Sequence, residues 1–316
     1  MDTASLLKSI KRRARLFLVS LPAGQNQEFL DIMNETFDNT VLPEMLAMRE
    51  EFYVHGITWN TEQNQTIQIP SDAIGAKVRG IYLLDNEGKI QRPVPFRNID
   101  TVYQYESAAN GWYTPGIILR NNTLETKMAS CLMQVAYYKM PNKLILFDET
   151  APQATASQKV YQVLTVAGSN LTLNNPAPLT STGTPVVYDV IEPGYPHNKR
   201  GSITVTFTSP FNANPQTATY VGGVINTFTG ETLVPDVGDW LFLPNQTGFA
   251  NIPREVELYF ILATAAAILN FQGAAEFTQV QQEANEQLRQ VQMLLDPRND
   301  GSPWTLTDNR GLSDFT

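Results

Sequence analysis

The sequence is poor in the residues that carry most covalent and metal chemistry. Across 316 residues it has one cysteine, Cys131, and two histidines, His55 and His197. A single cysteine excludes an intrachain disulfide, two histidines are too few for a multi-histidine metal centre, and a cysteine-rich zinc site is excluded outright. Charge is scarce as well: 17% of the residues are Asp, Glu, Lys or Arg, against about 25% in an ordinary soluble domain. Positive charge is scarcer still, with 22 Lys and Arg against 31 Asp and Glu, a net of −9. Such a surface does not attract nucleic acid, whose affinity for proteins comes mainly from Lys and Arg. Long apolar runs are missing too. Leu258–Ala275 is free of charge but holds Thr264, Asn270, Gln272 and Gly273, which leaves less than the about 20 residues a membrane span needs. The basic run Lys8–Arg15 followed by apolar Leu16–Leu21 imitates a secretory signal, but the apolar part falls short of the usual about 7–15 residues and Pro22 follows at once. Neither a membrane span nor a cleaved leader is expected.

What is present points to a folded chain with a sizeable core. Apolar residues make up 42% and aromatics 10%, which excludes wholesale disorder and any collagen-like or purely coiled-coil protein. The length suits roughly two domains of about 150 residues. Residues 1–58 read as helical. Leu6, Leu7, Ile10, Ala14 and Phe17 recur at spacings of three and four opposite Lys8, Lys11, Arg12, Arg13 and Arg15, the pattern of an amphipathic basic helix. Phe29, Met33 and Phe37 mark a second helix. A third starts near Asn39-Thr40, with Pro43 in its first turn, where a missing N–H costs little, and His55-Gly56 closes the block.

Residues 59–145 switch to a period of two. Strands are expected at Thr66–Pro70 and Lys77–Leu84, with Asp85–Gly88 as a turn and Lys89–Pro95 returning as a hairpin. Asn98–Tyr105 reads as a short helix, and further strands fall at Tyr113–Leu119, Thr123–Thr126 and Leu132–Tyr138. Residues 146–252 change composition: 16 threonines, seven acidic and three basic residues (Lys159, Lys199, Arg200) stand in these 107 positions. Alternation in Val160–Val166, Leu171–Leu173, Ile203–Phe207 and Trp240–Leu243 makes this an inserted all-β module, barrel or sandwich-like. Residues 253–295 return to helix in two stripes, Val256 to Asn270 and Phe277 to Leu295, broken at Gly273. Ala263, Ala266 and Ala267 offer a small-residue face that lets another backbone approach closely. Residues 296–316 form an extended tail with isolated Trp304, Leu306, Leu312 and Phe315, apolar anchors for a partner. The expected fold is therefore α+β: helical blocks at both ends packing together, a small β region and an inserted all-β domain.

Catalytic constellations are not legible. The chain has no phosphate-cradling glycine loop, no Gly-x-Ser-x-Gly and no His-Glu-x-x-His. Asp148 and Glu149 read as a solvated loop, Cys131 as a core thiol within an apolar strand, His55 as a helix end and His197 as a surface turn. No enzyme activity, cofactor or metal is expected. The basic helix is the informative feature. Residues 1–27 carry five basic residues and one acidic, +4, so the remainder is −13; Lys8, Lys11, Arg12, Arg13 and Arg15 therefore either form a solvated face or contact an acidic neighbour or DNA.

One set of residues resembles a known family. Ile69-Pro70-Ser71-Asp72 precedes a strand; Gly111-Trp112-Tyr113-Thr114-Pro115-Gly116-Ile117-Ile118-Leu119 follows; then comes Met133–Leu144 with a Tyr137-Tyr138-x-x-Pro141-x-x-Leu144 ending. Beside the Phe29–Phe37 helix and the alanine-rich C-terminal helix pair, this resembles the head-to-tail adaptor (connector) proteins of short-tailed bacteriophages. The likeness covers 1–145 and 253–295 and leaves 146–252 outside it. It implies a non-enzymatic virion protein of the neck or tail region whose helical parts build a helical bundle stem, assembled as a ring, commonly of twelve copies, between the portal protein and the tail nozzle protein, with DNA passing through without sequence-specific binding. An acidic bore suits that passage, because binding needs neutralised phosphates. On this reading the face of Ala263, Ala266 and Ala267 is a subunit interface, Trp304, Leu306, Leu312 and Phe315 meet the portal, and the β module projects outward, where it holds a tail fibre or thickens the ring. The competing class is a carbohydrate- or surface-binding tail fibre or spike component, which suits the threonine-rich module and not the flanking helices. A hydrolase is the weakest class, since no residue set converges.

Overall fold

The structure is a computed structural model; it describes residues 1–16, 25–61, 66–85, 87–96, 116–126, 131–148, 160–174, 183–192, 201–208, 215–226 and 231–295. Helix α1, Thr3–Arg13, starts at Asp2, whose Oδ1 accepts the Ser5 N–H at 2.9 Å, satisfying one of the amides a helix start leaves open. Its last turn carries Lys11, Arg12 and Arg13, where cations suit the negative end of the helix dipole. Helix α2, Gln25–Thr36, runs without a break through a π turn, Phe37–Val41, into α3, Leu42–Met48. The expected start at Asn39-Thr40 is thus not a boundary. Pro43 lacks an N–H and its ring crowds the carbonyl four residues back; the turn before it is widened, with the Leu42 N–H donating to the Phe37 carbonyl.

After a 3₁₀ turn, Glu50–Tyr53, the chain enters β1, Val54–Thr61. Here the helical expectation for residues 1–58 fails: Val54-His55-Gly56-Ile57-Thr58-Trp59 is a strand, with β-branched and aromatic residues overriding the helical frame. His55 pairs across from Tyr137 rather than ending a helix. Strands β2 (Thr66–Gln68), β3 (Ala73–Leu84), β4 (Ile90–Pro93), β5 (Ile117–Arg120), β6 (Thr123–Thr126) and β7 (Cys131–Lys139) follow. They form two antiparallel sheets, β1-β7-β3-β4 and β2-β6-β5. The β3–β4 hairpin occurs as expected; Asp85 Oδ1 accepts the N–H groups of Glu87 and Lys89, each at 2.8 Å. Asn121 turns β5 into β6 at φ 53°, a conformation asparagine tolerates better than most residues. Trp59, Ile69, Ile81, Ile117, Leu124, Met133 and Val135 fill the space between the sheets. The Asn98–Tyr105 helix lies outside the described residues.

The chain then leaves through β8, Lys143–Leu144. Strands β9 (Tyr161–Ala167), β10 (Asn170–Asn174), β11 (Val186–Ile191), β12 (Ser202–Phe207), β13 (Gln216–Gly222) and β16 (Trp240–Phe242) close a barrel in the order β10-β13-β12-β11-β16-β9. A short pair, β14 (Val224–Asn226) and β15 (Glu231–Thr232), hangs from it. The alternation is strict in β12, where Ile203, Val205 and Phe207 point inward and Thr204 and Thr206 outward. Closure removes sheet edges that would otherwise invite pairing with other chains. The chain returns through β17, Gln246–Thr247, which runs parallel to β8.

Two helices complete the fold, α4 (Glu257–Phe271) and α5 (Phe277–Leu295), joined by a turn in which Gly273 takes φ 65°. The expected helical bundle stem is not formed. The architecture is mixed α/β, and among the described residues strand outnumbers helix. The reason lies in α4: ten of its fifteen residues are buried, and a helix apolar all round is a core helix rather than the wall of a stem. It is sheathed by α1, α2 and α5 of its own chain, and Leu6, Ile10, Phe29, Met33, Phe260, Ile268, Val280 and Val291 share one core. Among the described residues no helix is long and apolar enough to cross a membrane.

Candidate functional site

Two of the segments that carry the resemblance, Ile69–Asp72 and Met133–Leu144, meet in space; residues 111–115 of the third lie outside the described residues. The turn Pro70–Ala73 presents Asp72 to the end of β7. The Tyr137 O–H donates to Asp72 Oδ1 at 3.3 Å, Lys139 Nζ lies 3.6 Å from Oδ2, and the Met140 N–H donates to the Asp72 carbonyl at 2.6 Å. Burial, reinforced by the Asp72 charge and hydrogen bond, pushes the Tyr137 hydroxyl well above the ordinary tyrosine range, so it stays a donor. The strap Met140–Leu144 then crosses to the helical block. There the buried Asn34 side chain holds both backbone groups of Leu144: Oδ1 accepts its N–H at 2.8 Å and Nδ2 donates to its carbonyl at 3.0 Å. A polar residue on the buried stripe of α2 thus replaces the partners these backbone groups would otherwise lack.

The same strap anchors the barrel. Asn142 Nδ2 donates to Asp189 Oδ2 at 3.2 Å; Asp189 also accepts the Asn245 N–H at 2.9 Å and the Ser202 hydroxyl at 2.6 Å. Asp189 is a buried carboxylate of β11, stabilised by donors from three segments. The N-terminus adds a third clasp. The Thr3 hydroxyl donates to the Ile145 carbonyl at 2.6 Å and accepts the Phe147 N–H at 2.8 Å, while the Thr3 N–H donates to the Gly248 carbonyl at 2.9 Å. Both stalks of the barrel are therefore stitched to the first turn of α1. Phe147 fills the space a side chain at 248 would need and packs edge-on against Trp240, Phe242 and Phe249.

A cleft of about 590 Å³ opens at this junction, between the π turn, Ser71-Asp72 and the strap with Asn245. Its titratable groups are Glu35, Asp38, Asp72 and Lys143. Burial raises the Asp38 carboxyl above its ordinary value, and the charge of Lys143 acts the other way. The cleft offers carboxylate acceptors and amides, the groups that hold cationic side chains; among the described residues no cysteine or histidine lines it. Among the described residues no group of three or more His, Cys, Asp or Glu is placed to hold a metal ion.

The residues singled out from the sequence fall into three sets. Lys8, Arg12, Arg13 and Arg15 are exposed, and Arg15 pairs with Glu276 at 3.6 Å. Lys11 is half-buried: its ammonium donates to Asn26 Oδ1 and stands over the Phe29 ring at 5.9 Å, and burial lowers its pKa. Ala263 and Ala266 are buried inside the chain's own core and Ala267 is half-buried. The close approach their small side chains allow is made to helices of the same molecule, which corrects the subunit-interface assignment for Ala263 and Ala266. Trp304, Leu306, Leu312 and Phe315 lie outside the described residues, as do Glu149 and His197. Cys131 is half-buried with Sγ 3.3 Å from the Thr61 hydroxyl. The clasps of Thr3, Asn34, Asp72 and Asp189 escaped the sequence reading. Asn34 between Met33 and Phe37, and Asp189 within Val186–Ile191, were detectable as polar residues interrupting apolar patterns.

No protein-family model matches the chain, and no curated protein is significantly similar to it.

Proposed function

We propose that this chain is a structural virion protein, a subunit of the ring that joins the portal of a short-tailed bacteriophage head to the tail nozzle and lets DNA pass. The observation that carries the reading is the junction at Asp72. The Ile-Pro-x-Asp turn and the Tyr-Tyr-x-x-Pro-x-x-Leu strap are about 65 residues apart in sequence, by the spacing of hydrogen-bonded Asp72 and Tyr137, yet form one unit. That unit ties the sheet to the helical block through Asn34. Two motifs quoted for the same family thus do one structural job. The ring, of twelve copies if it follows the family, is built from a mixed α/β body and not from a helical stem, with the barrel on two stalks.

Negative-stain imaging of the full chain mixed with portal-bearing heads tests this. A ring stacked beneath the portal is the expected image; a three-fold needle, or a chain that never joins the portal, overturns it. Removing residues 300–316 is expected to abolish attachment, because that tail supplies Trp304, Leu306, Leu312 and Phe315 as portal anchors.

A second reading, carbohydrate or surface binding as a fibre or spike component, is favoured by the outer face of the barrel. Thr172, Thr204, Thr206, Thr217 and Thr219 stand on adjoining strands, Thr204 flanked by Val187 and Val221. Glycan-array binding by the full chain that disappears in Thr206→Lys/Thr219→Lys supports it; no binding to any glycan leaves the connector reading alone.

A further inference from the structure

The charges of the helical block are sorted by helix. No Lys or Arg occurs between Arg15 and Arg49. On α1, Lys8 and Arg12 follow at a spacing of four and share one exposed face, with Arg13 exposed beside it and Arg15 exposed just past the helix end, where it takes φ 57°. On α2 and the π turn, Glu28, Asp31, Glu35 and Asp38 follow at three, four and three and share another exposed face. Helices with opposite charge packed on the same α4 would be expected to neutralise each other. They do not. Among the described residues, Arg15 pairs with Glu276 and Asp31 with Lys143 at 3.9 Å, Lys11 is held by the amide of Asn26, and no ion pair joins α1 to α2.

We propose that the acidic face of α2 seats the basic face of α1 from a second copy of this chain. The proposal rests on the ring reading above and names the surfaces by which neighbouring copies meet. A contact between two different faces is heterologous, and repeated it does not stop at a dimer: it closes into a ring where the rotation between copies closes, and otherwise runs on as a filament. Glu35 and Asp38 also line the cleft that holds Asp72 and Met140, a recess for the long stems of Lys8 and Arg12, which can bury their methylenes while keeping their heads on carboxylates. Exposed ion pairs contribute little singly, so such a contact needs a stripe of them and weakens as salt rises.

Sedimentation velocity of the full chain tests the pairing. Wild type is expected to self-associate at about 0.05 M salt and to dissociate at about 0.5 M, where screening is short-ranged. Glu28→Lys/Glu35→Lys/Asp38→Lys and Lys8→Glu/Arg12→Glu/Arg13→Glu are each expected to associate at least about tenfold more weakly. An equimolar mixture of the two is expected to regain association, because each variant then presents the partner for the other's altered face. Regained association also shows that both variants are folded. Association unchanged by either reversal, a mixture that stays monomeric, or a wild type monomeric at low salt at every concentration overturns the pairing. Imaging with portal-bearing heads separates the two ideas. Rings formed by either reversed variant alone sink the stripe contact and spare the ring, whereas heads that never acquire a ring from wild type sink the connector reading itself.

Discussion

The helical block and the barrel solve the burial problem in opposite ways. The block gathers helices from both ends of the chain around α4, keeps its charge in stripes on the outside, and is pinned by buried polar clasps at Thr3 and Asn34. The barrel encloses Tyr161, Tyr188, Phe207 and aliphatic residues within one closed sheet and shows a threonine-rich outer face with little charge. The first depends on contacts between residues far apart in sequence; the second draws its core from one continuous stretch. A body made this way has a region suited to charge-directed docking and another suited to broad, neutral contact.

The comparison breaks most visibly in the cores. Phe260→Ala in the helical block and Phe207→Ala in the barrel are each expected to cost about 3–5 kcal/mol. Because the two clusters share no residue, calorimetry is expected to show two transitions, each variant lowering one; a single transition moved by both would mean that the stalks couple the regions fully. Asn34→Leu leaves the Leu144 N–H and carbonyl buried without their partner, an expected loss of about 2–3 kcal/mol, read as a lower midpoint for the helical transition alone. Asp189→Asn weakens the charge-assisted bonds at the foot of the barrel and is expected to cost about 1–2 kcal/mol, drawn from the barrel transition.

Alkaline pH probes both regions at once. Burial raises the pKa of Tyr53 in the block, and burial with the nearby Tyr161 raises that of Tyr188 in the barrel. The unfolded chain loses these protons from about pH 10 while the folded chain keeps them, so the unfolded state binds fewer protons and stability falls as pH rises above about 10. The expected slope is up to about 1.4 kcal/mol per pH unit for each tyrosine, measured by urea melts from about pH 8 to 11. Tyr53→Phe is expected to flatten the slope of the helical transition and leave that of the barrel. The smallest effect is on the barrel's outer face: Thr206→Ala is expected to change stability by less than about 0.5 kcal/mol, and a larger loss would mean that the threonine ladder is structural.

Legibility followed the range of the interactions. The alternation in Ile203–Phe207 announces a strand because the inward side chains and their spacing are properties of one segment. The β3–β4 hairpin is equally local, with Asp85 and Gly88 closing it. His55-Gly56 misled because a short strand at the end of a helical run has no local marker, and its partner, β7, lies about eighty residues on, from the pairing of His55 with Tyr137. The alanines of α4 misled in another way. Small residues signal close approach but do not say to what, and α1, α2 and α5 of the same chain claim it.

The sequence by itself determined most of where helix gives way to strand, that the middle of the chain is a β module with an apolar interior and a threonine-rich exterior, and that residues 1–27 are net positive on an otherwise acidic chain. Periodicity and composition suffice for these, since each is a property of neighbouring residues. The tertiary structure alone decided that α4 is a core helix instead of a stem wall, that the strands close into a barrel on stapled stalks, and that Asp72, Asn34, Asp189 and Thr3 join the pieces. Those outcomes depend on which distant segments satisfy each other's apolar surface and backbone hydrogen bonds, a pairing that no local pattern encodes.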